Sequence, residues 1–172
     1  MNEKEFKQHA DEVFEEIKKR ATNFKRGGVC RGAEGTTTRA ITGIMSEIGE
    51  VREKMLGFTK WGEFLNNVGA RTLFLLERIH EEPCDTEEWK ELFIGLLWRK
   101  HKRYGHVPLV RWGNLGIVIR IDSKIQRYIN MMKNDLDPDG ESEVDTLKDI
   151  IGYNILLSFN QQGLFPADGS SK

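Results

Sequence analysis

Two rows of charge near the C-terminus have the residue types and spacing to do chemistry. Arg120, Lys124 and Arg127 recur at intervals of four and three, and Asp145, Asp149 and Tyr153 at intervals of four. On a helix such positions stack on one face. The first set is a cationic row; the second is an anionic row with a tyrosine one turn on. Cationic side chains suit phosphate oxygens, and paired carboxylates suit a hard divalent metal. A site holding both would serve a nucleotide phosphate with its magnesium. The same spacing also serves surface ion pairs, which contribute little. A second carboxylate pair, Glu47 and Glu50, brackets Gly49. Glycine inside a helix costs roughly 1 kcal/mol relative to alanine, a cost tolerated where something approaches the backbone closely. Two carboxylates on one helix, joined by two on another, can build a magnesium cage in a bundle core. On a wet face, Glu47 and Glu50 would instead pair with cations such as Lys54.

These residues need helices to position them, and the apolar periodicity supplies them. Phe6, Ala10, Val13, Phe14, Ile17 and Ala21 share one face of a helix over 3–22. A glycine-rich basic stretch, 25–35, reads as a loop; it lacks the lysine and hydroxyl ending of a P-loop. Thr36, Thr37 and Thr38 offer N-caps for a helix over 38–56 with Ile41, Ile44, Met45, Ile48, Val51 and Met55 as its stripe. A third helix, 60–80, presents Trp61, Phe64, Leu65, Val68, Leu73, Leu76 and Ile79. Thr86 caps a fourth, with Glu87 and Glu88 in its first turn, where the helix dipole favours anions. It carries Trp89, Leu92, Phe93, Leu96 and Leu97 and ends near Tyr104 and Gly105. The cationic row lies on a helix over 112–132 whose stripe is Ile117, Ile121, Ile125, Tyr128 and Met132. A turn rich in aspartate, 135–140, lacks the spacing of an EF-hand. The last helix, 142–160, holds the anionic row, and a flexible tail follows over 163–172. The fold class is all-α, a bundle of about six helices in a single domain.

Bulk properties narrow the functions. The chain has 172 residues and a net charge of −1, so overall charge does not drive nucleic-acid binding. DNA is not expected as a partner, because the basic run Arg99 to Arg103 has no aromatic interleaving beyond Tyr104. Trp89, Trp98 and Trp112 are expected in core or interface. Cys30 and Cys84 form no metal-ligand pattern, which suits a reduced, cytoplasmic protein, with one disulfide remaining open. The N-terminus has no signal-peptide character, and no apolar run approaches the roughly 20 residues needed to span a bilayer. His9, His80, His101 and His106 are not spaced as a metal triad.

Two family resemblances sit on these motifs. Glu47-Ile48-Gly49-Glu50-Val51 resembles the first acidic motif of the MazG-like all-α nucleoside triphosphate pyrophosphatases, whose helical bundles hold magnesium and hydrolyse the α–β bond of a nucleotide. The C-terminal unit, 86–160, is similar to the phage and bacterial nucleotide modification associated domain of the first type. The similarity runs through Lys100-His101-Lys102-Arg103-Tyr104-Gly105, through Gly116 to Arg127, and through Asp145 to Tyr153. Two positions depart from that pattern: Arg103 stands where the family has an acid, and Ser123-Lys124 where it has Asp-Lys. The resemblances imply that Asp145 and Asp149 act in catalysis and bind metal with Glu47 and Glu50. They imply that Lys124, Arg127 and Arg120 hold phosphate and that Tyr104 and Tyr153 hold the base. The expected cofactor is Mg, and the expected ligand a nucleotide or deoxynucleotide. The expected function is nucleotide hydrolysis linked to phage or bacterial nucleotide metabolism or DNA base modification. A non-catalytic nucleotide-binding or protein-binding adaptor is the alternative. The MazG-like resemblance also allows a homodimer with a shared site. Whether the N-terminal helices, within 1–82, join the site stays open at this point.

Overall fold

The structure, a computed structural model, describes residues 1–26, 33–105, 111–134 and 141–165. Among these residues are six α-helices: α1 (Glu3–Arg26), α2 (Ala33–Lys54), α3 (Trp61–Arg78), α4 (Glu87–Tyr104), α5 (Gly113–Asn134) and α6 (Glu143–Gln161). A short 3-10 turn, Met55–Gly57, follows α2. No strand occurs in the described residues, so the all-α expectation holds. None of their helices is long and apolar enough to cross a membrane.

The two most central helices are α3 and α6. α3 packs on α1, α2 and α6, while α6 packs on α5, α3 and α1. Around them, α4 lies on α1, and α2 bridges to α5. Phe6, Phe14, Phe64, Leu73, Leu76 and Phe159 are fully buried between these helices; each such side chain contributes about 1.5–3 kcal/mol. Gly69 lets α1 and α3 approach closely, since a Cβ there would lie 2.9 Å from the Ile17 side chain. Polar ties fix the helices relative to one another. Lys90 on α4 is 9% exposed and meets Asp11 at 2.8 Å, Glu15 at 2.9 Å and Glu87 at 3.1 Å. His80, just after α3, shares a 3.0 Å hydrogen bond with the buried Tyr128 hydroxyl and lies 3.6 Å from Glu143. Cys84 is a free, fully buried thiol, and burial pushes its pKa up to about 12.

Local chemistry sets the helix ends. The Thr86 hydroxyl accepts from the Trp89 amide at 3.2 Å and starts α4. Gly105 stops it with φ 67 and ψ −175, a conformation open essentially to glycine alone. Ser142 and Asp145 form a capping box at the start of α6.

The structure corrects several expectations. α1 runs to Arg26 and α2 starts at Ala33, so Gly35 and the three threonines lie inside α2 rather than before it. Glycine's cost of about 1 kcal/mol is small beside the burial of Ala40 and Ile44 on that helix. The rest of the expected loop, 27–32, lies outside the described residues, as does the turn over 135–140. Met55 leaves the α2 stripe because the 3-10 turn carries it outward at φ 49, and it is exposed. Leu92 is exposed, and on α5 Met131 rather than Met132 is buried. In the region expected to be a flexible tail, Phe165 is buried and stacks on His101, with ring centroids 5.7 Å apart.

Candidate functional site

A cavity of about 480 Å³ opens between α4, α5 and α6, within the usual range of roughly 300–1,000 Å³ for small-molecule sites. Phe93, Leu96, Leu97 and Leu156 give it apolar walls; Tyr104, Tyr153, Lys100, Arg120, Lys148 and Asp149 give it polar ones. The lining follows from helix periodicity. Asp149 and Tyr153 are one turn apart on α6, as Lys100 and Tyr104 are on α4. Arg120 points in from α5, exposed and without an ion pair to any described residue.

Asp149 anchors a chain of charges beside this cavity. Lys100 Nζ donates to its Oδ1 at 2.5 Å, and Lys124 Nζ lies 2.8 Å from its Oδ2. The same Lys124 ammonium donates to Glu141 Oε1 at 2.6 Å, and Arg127 Nη1 lies 3.3 Å from Glu141 Oε2. Thr146 Oγ1 also donates to Glu141 Oε1, at 3.2 Å. Burial opposes the charge on Lys124, but the hydrogen bonds to Asp149 and Glu141 outweigh it and hold its pKa above the ordinary lysine value. Two carboxylates, from the residue before the α6 cap and from nearly two turns inside the helix, thus converge on a single cationic nitrogen. At the far side Lys148 lies 3.2 Å from Glu82 and 5.5 Å from the centroid of the Trp89 ring. The Trp89 indole N–H donates to that same Glu82 at 2.6 Å.

The residues singled out from sequence fall into three places. Asp149, Arg120, Tyr104 and Tyr153 line the cavity together, with Lys124 and Arg127 joined to them through the charge chain. Asp145 is exposed at the start of α6, where its carboxylate accepts from Ser142 N at 3.3 Å and Ser142 Oγ at 2.8 Å. Glu47 and Glu50 sit on α2, which packs on α3 and α5 and has no substantial packing on α6. Glu50 takes Lys54 at 2.7 Å, which lowers its pKa. Glu47 accepts from Asn67 Nδ2 at 2.8 Å, and Asn67 Oδ1 accepts from Arg20 at 3.0 Å, tying α1, α2 and α3. Burial raises the Glu47 pKa against the pull of Asn67 and Arg71. No group of three or more His, Cys, Asp or Glu side chains suited to a metal occurs among the described residues. The carboxylates that do converge are Asp149 and Glu141.

Sequence reasoning missed Lys100 and Glu141. Lys100 stood in the basic run and carried a helical signal, one turn before Tyr104. Glu141 stood next to the cap of α6, where nothing local marks it as a site residue. Comparison with protein-family models, with curated proteins and with solved structures gave no match.

Proposed function

We propose that the α4–α5–α6 cavity binds a nucleoside polyphosphate and, with magnesium, hydrolyses it with release of pyrophosphate. The observation that carries this reading is the joint lining of one nucleotide-sized cavity by two tyrosines, three cations and a carboxylate bridged to a second carboxylate. Tyr104 and Tyr153 offer ring faces and hydroxyls to a base. Lys100, Arg120 and Lys124 are the phosphate partners, with Arg127 behind Glu141. Phosphate oxygens would draw Lys100 and Lys124 away from Asp149 and leave its carboxylate, with that of Glu141, for a divalent cation. A donor set of one or two carboxylates completed by substrate phosphates is what magnesium usually accepts. Bound there, magnesium would neutralise developing phosphate charge. The protein's own part is positioning and electrostatic stabilisation, with Asp149 holding the attacking water. The resemblance to the nucleotide modification associated domain lies on the cavity helices and agrees with this chemistry; the MazG-like resemblance suggests the reaction, but its motif, Glu47 to Val51, stands on α2 away from the cavity. The first resemblance also carries the link to phage or bacterial nucleotide metabolism or DNA base modification, and the cysteine pattern suits a cytoplasmic setting.

One observation favours a second reading, a nucleotide binder without turnover. Both oxygens of Asp149 are already held by lysines. Product analysis by ion-exchange chromatography separates the two. The protein is incubated with each common NTP and dNTP, with magnesium or with chelator. A monophosphate and pyrophosphate that appear only with magnesium are expected. Asp149→Asn should abolish them while nucleotide binding persists, tightened several-fold in chelator because two lysines lose their internal partner. Binding without any product assigns the protein to the second reading.

A further inference from the structure

Between Glu91 and Asp122 the chain contains no acidic residue. The 27 acids in 172 residues would put about five in a stretch that long. The same stretch carries Arg99, Lys100, Lys102, Arg103, Arg111 and Arg120. Its described residues include the C-terminal half of α4 and the N-terminal half of α5, and these converge at the cavity, where Lys100, Tyr104 and Arg120 share the lining. Four of the cations, Arg99, Arg103, Arg111 and Arg120, are exposed and make no ion pair with a described residue. Elsewhere the bundle pairs its cations readily, as at Lys7, Lys54 and Lys90.

Two aromatic rings stand exposed among these arginines. Tyr104 is 65% and Trp112 72% exposed. The Arg103 guanidinium lies 5.5 Å from the Tyr104 ring centroid, and that of Arg111 5.9 Å from the Trp112 centroid. Trp112, expected in the core or at an interface, belongs to neither the core nor the cavity. A large aromatic side chain held out in water beside unpaired cations matches a partner that is flat and anionic. A rim of cations with exposed ring faces is the arrangement that tracks a nucleic-acid strand, phosphates on the cations and unstacked bases on the rings. A duplex would offer the phosphates but keep its bases stacked.

From this we infer that the α4–α5 face binds single-stranded nucleic acid, with Trp112 and Tyr104 as stacking platforms and Arg99, Arg103, Arg111 and Arg120 on the phosphates. The inference does not require the cavity to turn over a nucleotide. The test is fluorescence anisotropy of a labelled twelve-nucleotide oligothymidylate and of a duplex of the same length, titrated with the full chain over a range of salt. The strand should bind more tightly than the duplex, and log K should fall against log salt with a slope of about −3 if all four arginines contact phosphates. Trp112→Ala, at an exposed position, should keep the fold and lower strand affinity about tenfold. It should leave the binding of a free nucleoside triphosphate unchanged, which separates this surface from the cavity. Absent strand binding, a duplex bound as tightly as the strand, or a Trp112→Ala variant that binds like wild type would overturn the inference. So would a preference for anionic lipid vesicles over the oligonucleotide.

Discussion

Lys90 illustrates how one residue can tie two helices. Its ammonium, 9% exposed, is shared among Asp11 and Glu15 of α1 and Glu87 of α4. The hydrogen bond to Asp11 is the largest influence on its pKa; with Glu15 and Glu87 it outweighs burial and raises the value. A lysine raised in the folded state stabilises fully below its ordinary pKa near 10.4, and loses that effect only as pH climbs through the raised value. Lys90→Met leaves three carboxylates facing each other. It should destabilise the protein by about 2 kcal/mol, a figure below that for fully buried pairs because the carboxylates are partly wet. Urea denaturation should show this gap constant from pH 6 to 9 and narrowing above about pH 11. A gap that vanishes at neutral pH would refute the clasp. At the site the same residue-level view explains what was legible. Asp149, Arg120, Tyr104 and Tyr153 were readable because each marks a helix face with the right chemistry. The Lys100–Asp149 and Lys124–Glu141 contacts arise where helices meet, and periodicity within one helix carries no such information. Asp145 had two local meanings, because Ser142-Glu143-Val144-Asp145 also fits the spacing of a capping box.

At the scale of elements, the helices were legible almost to their ends. Five of six start within about two residues of the apolar pattern's limits, with close fits where a cap is present, as at Thr86 and Ser142. The start of α2 was not legible, because glycines and threonines argue locally for a loop while Ala40, Ile44 and Ile48 anchor the helix from beyond them. The capping box on α6 matters for the site, because it fixes the end of the helix from which Glu141 reaches Lys124. Ser142→Ala removes the hydroxyl that accepts from the Asp145 amide at 3.1 Å. A lost cap of this kind costs about 1 kcal/mol, so a thermal melt should shift down by roughly 2–4 °C. The same variant should weaken nucleotide binding, since Thr146 and Glu141 flank the lost cap. An unchanged melting temperature would show that the cap contributes nothing.

At the scale of the whole molecule, His80 couples three helices to pH. It links the end of α3 to Tyr128 of α5 and Glu143 of α6. Burial lowers its pKa, with Glu143 and Glu82 opposing. A base whose folded pKa lies below its unfolded value near 6.5 takes up a proton more readily when unfolded. Stability is therefore full above about pH 7 and falls as pH drops through 6.5 towards the lower folded value. The denaturant midpoint should decline between pH 7 and pH 5, and His80→Gln should flatten that slope; an identical slope in the variant would exclude His80 as its source. Four residues beyond this histidine lies Cys84, wholly enclosed and with its thiol pushed up to about 12. A thiol that is neither accessible nor ionised at neutral pH cannot react until the link between α3 and α4 opens. In a chain with Cys30 replaced by serine, Cys84 becomes a clock. The rate at which a thiol reagent consumes it measures how often that link breathes, and whether it does so alone or only when the whole bundle comes apart.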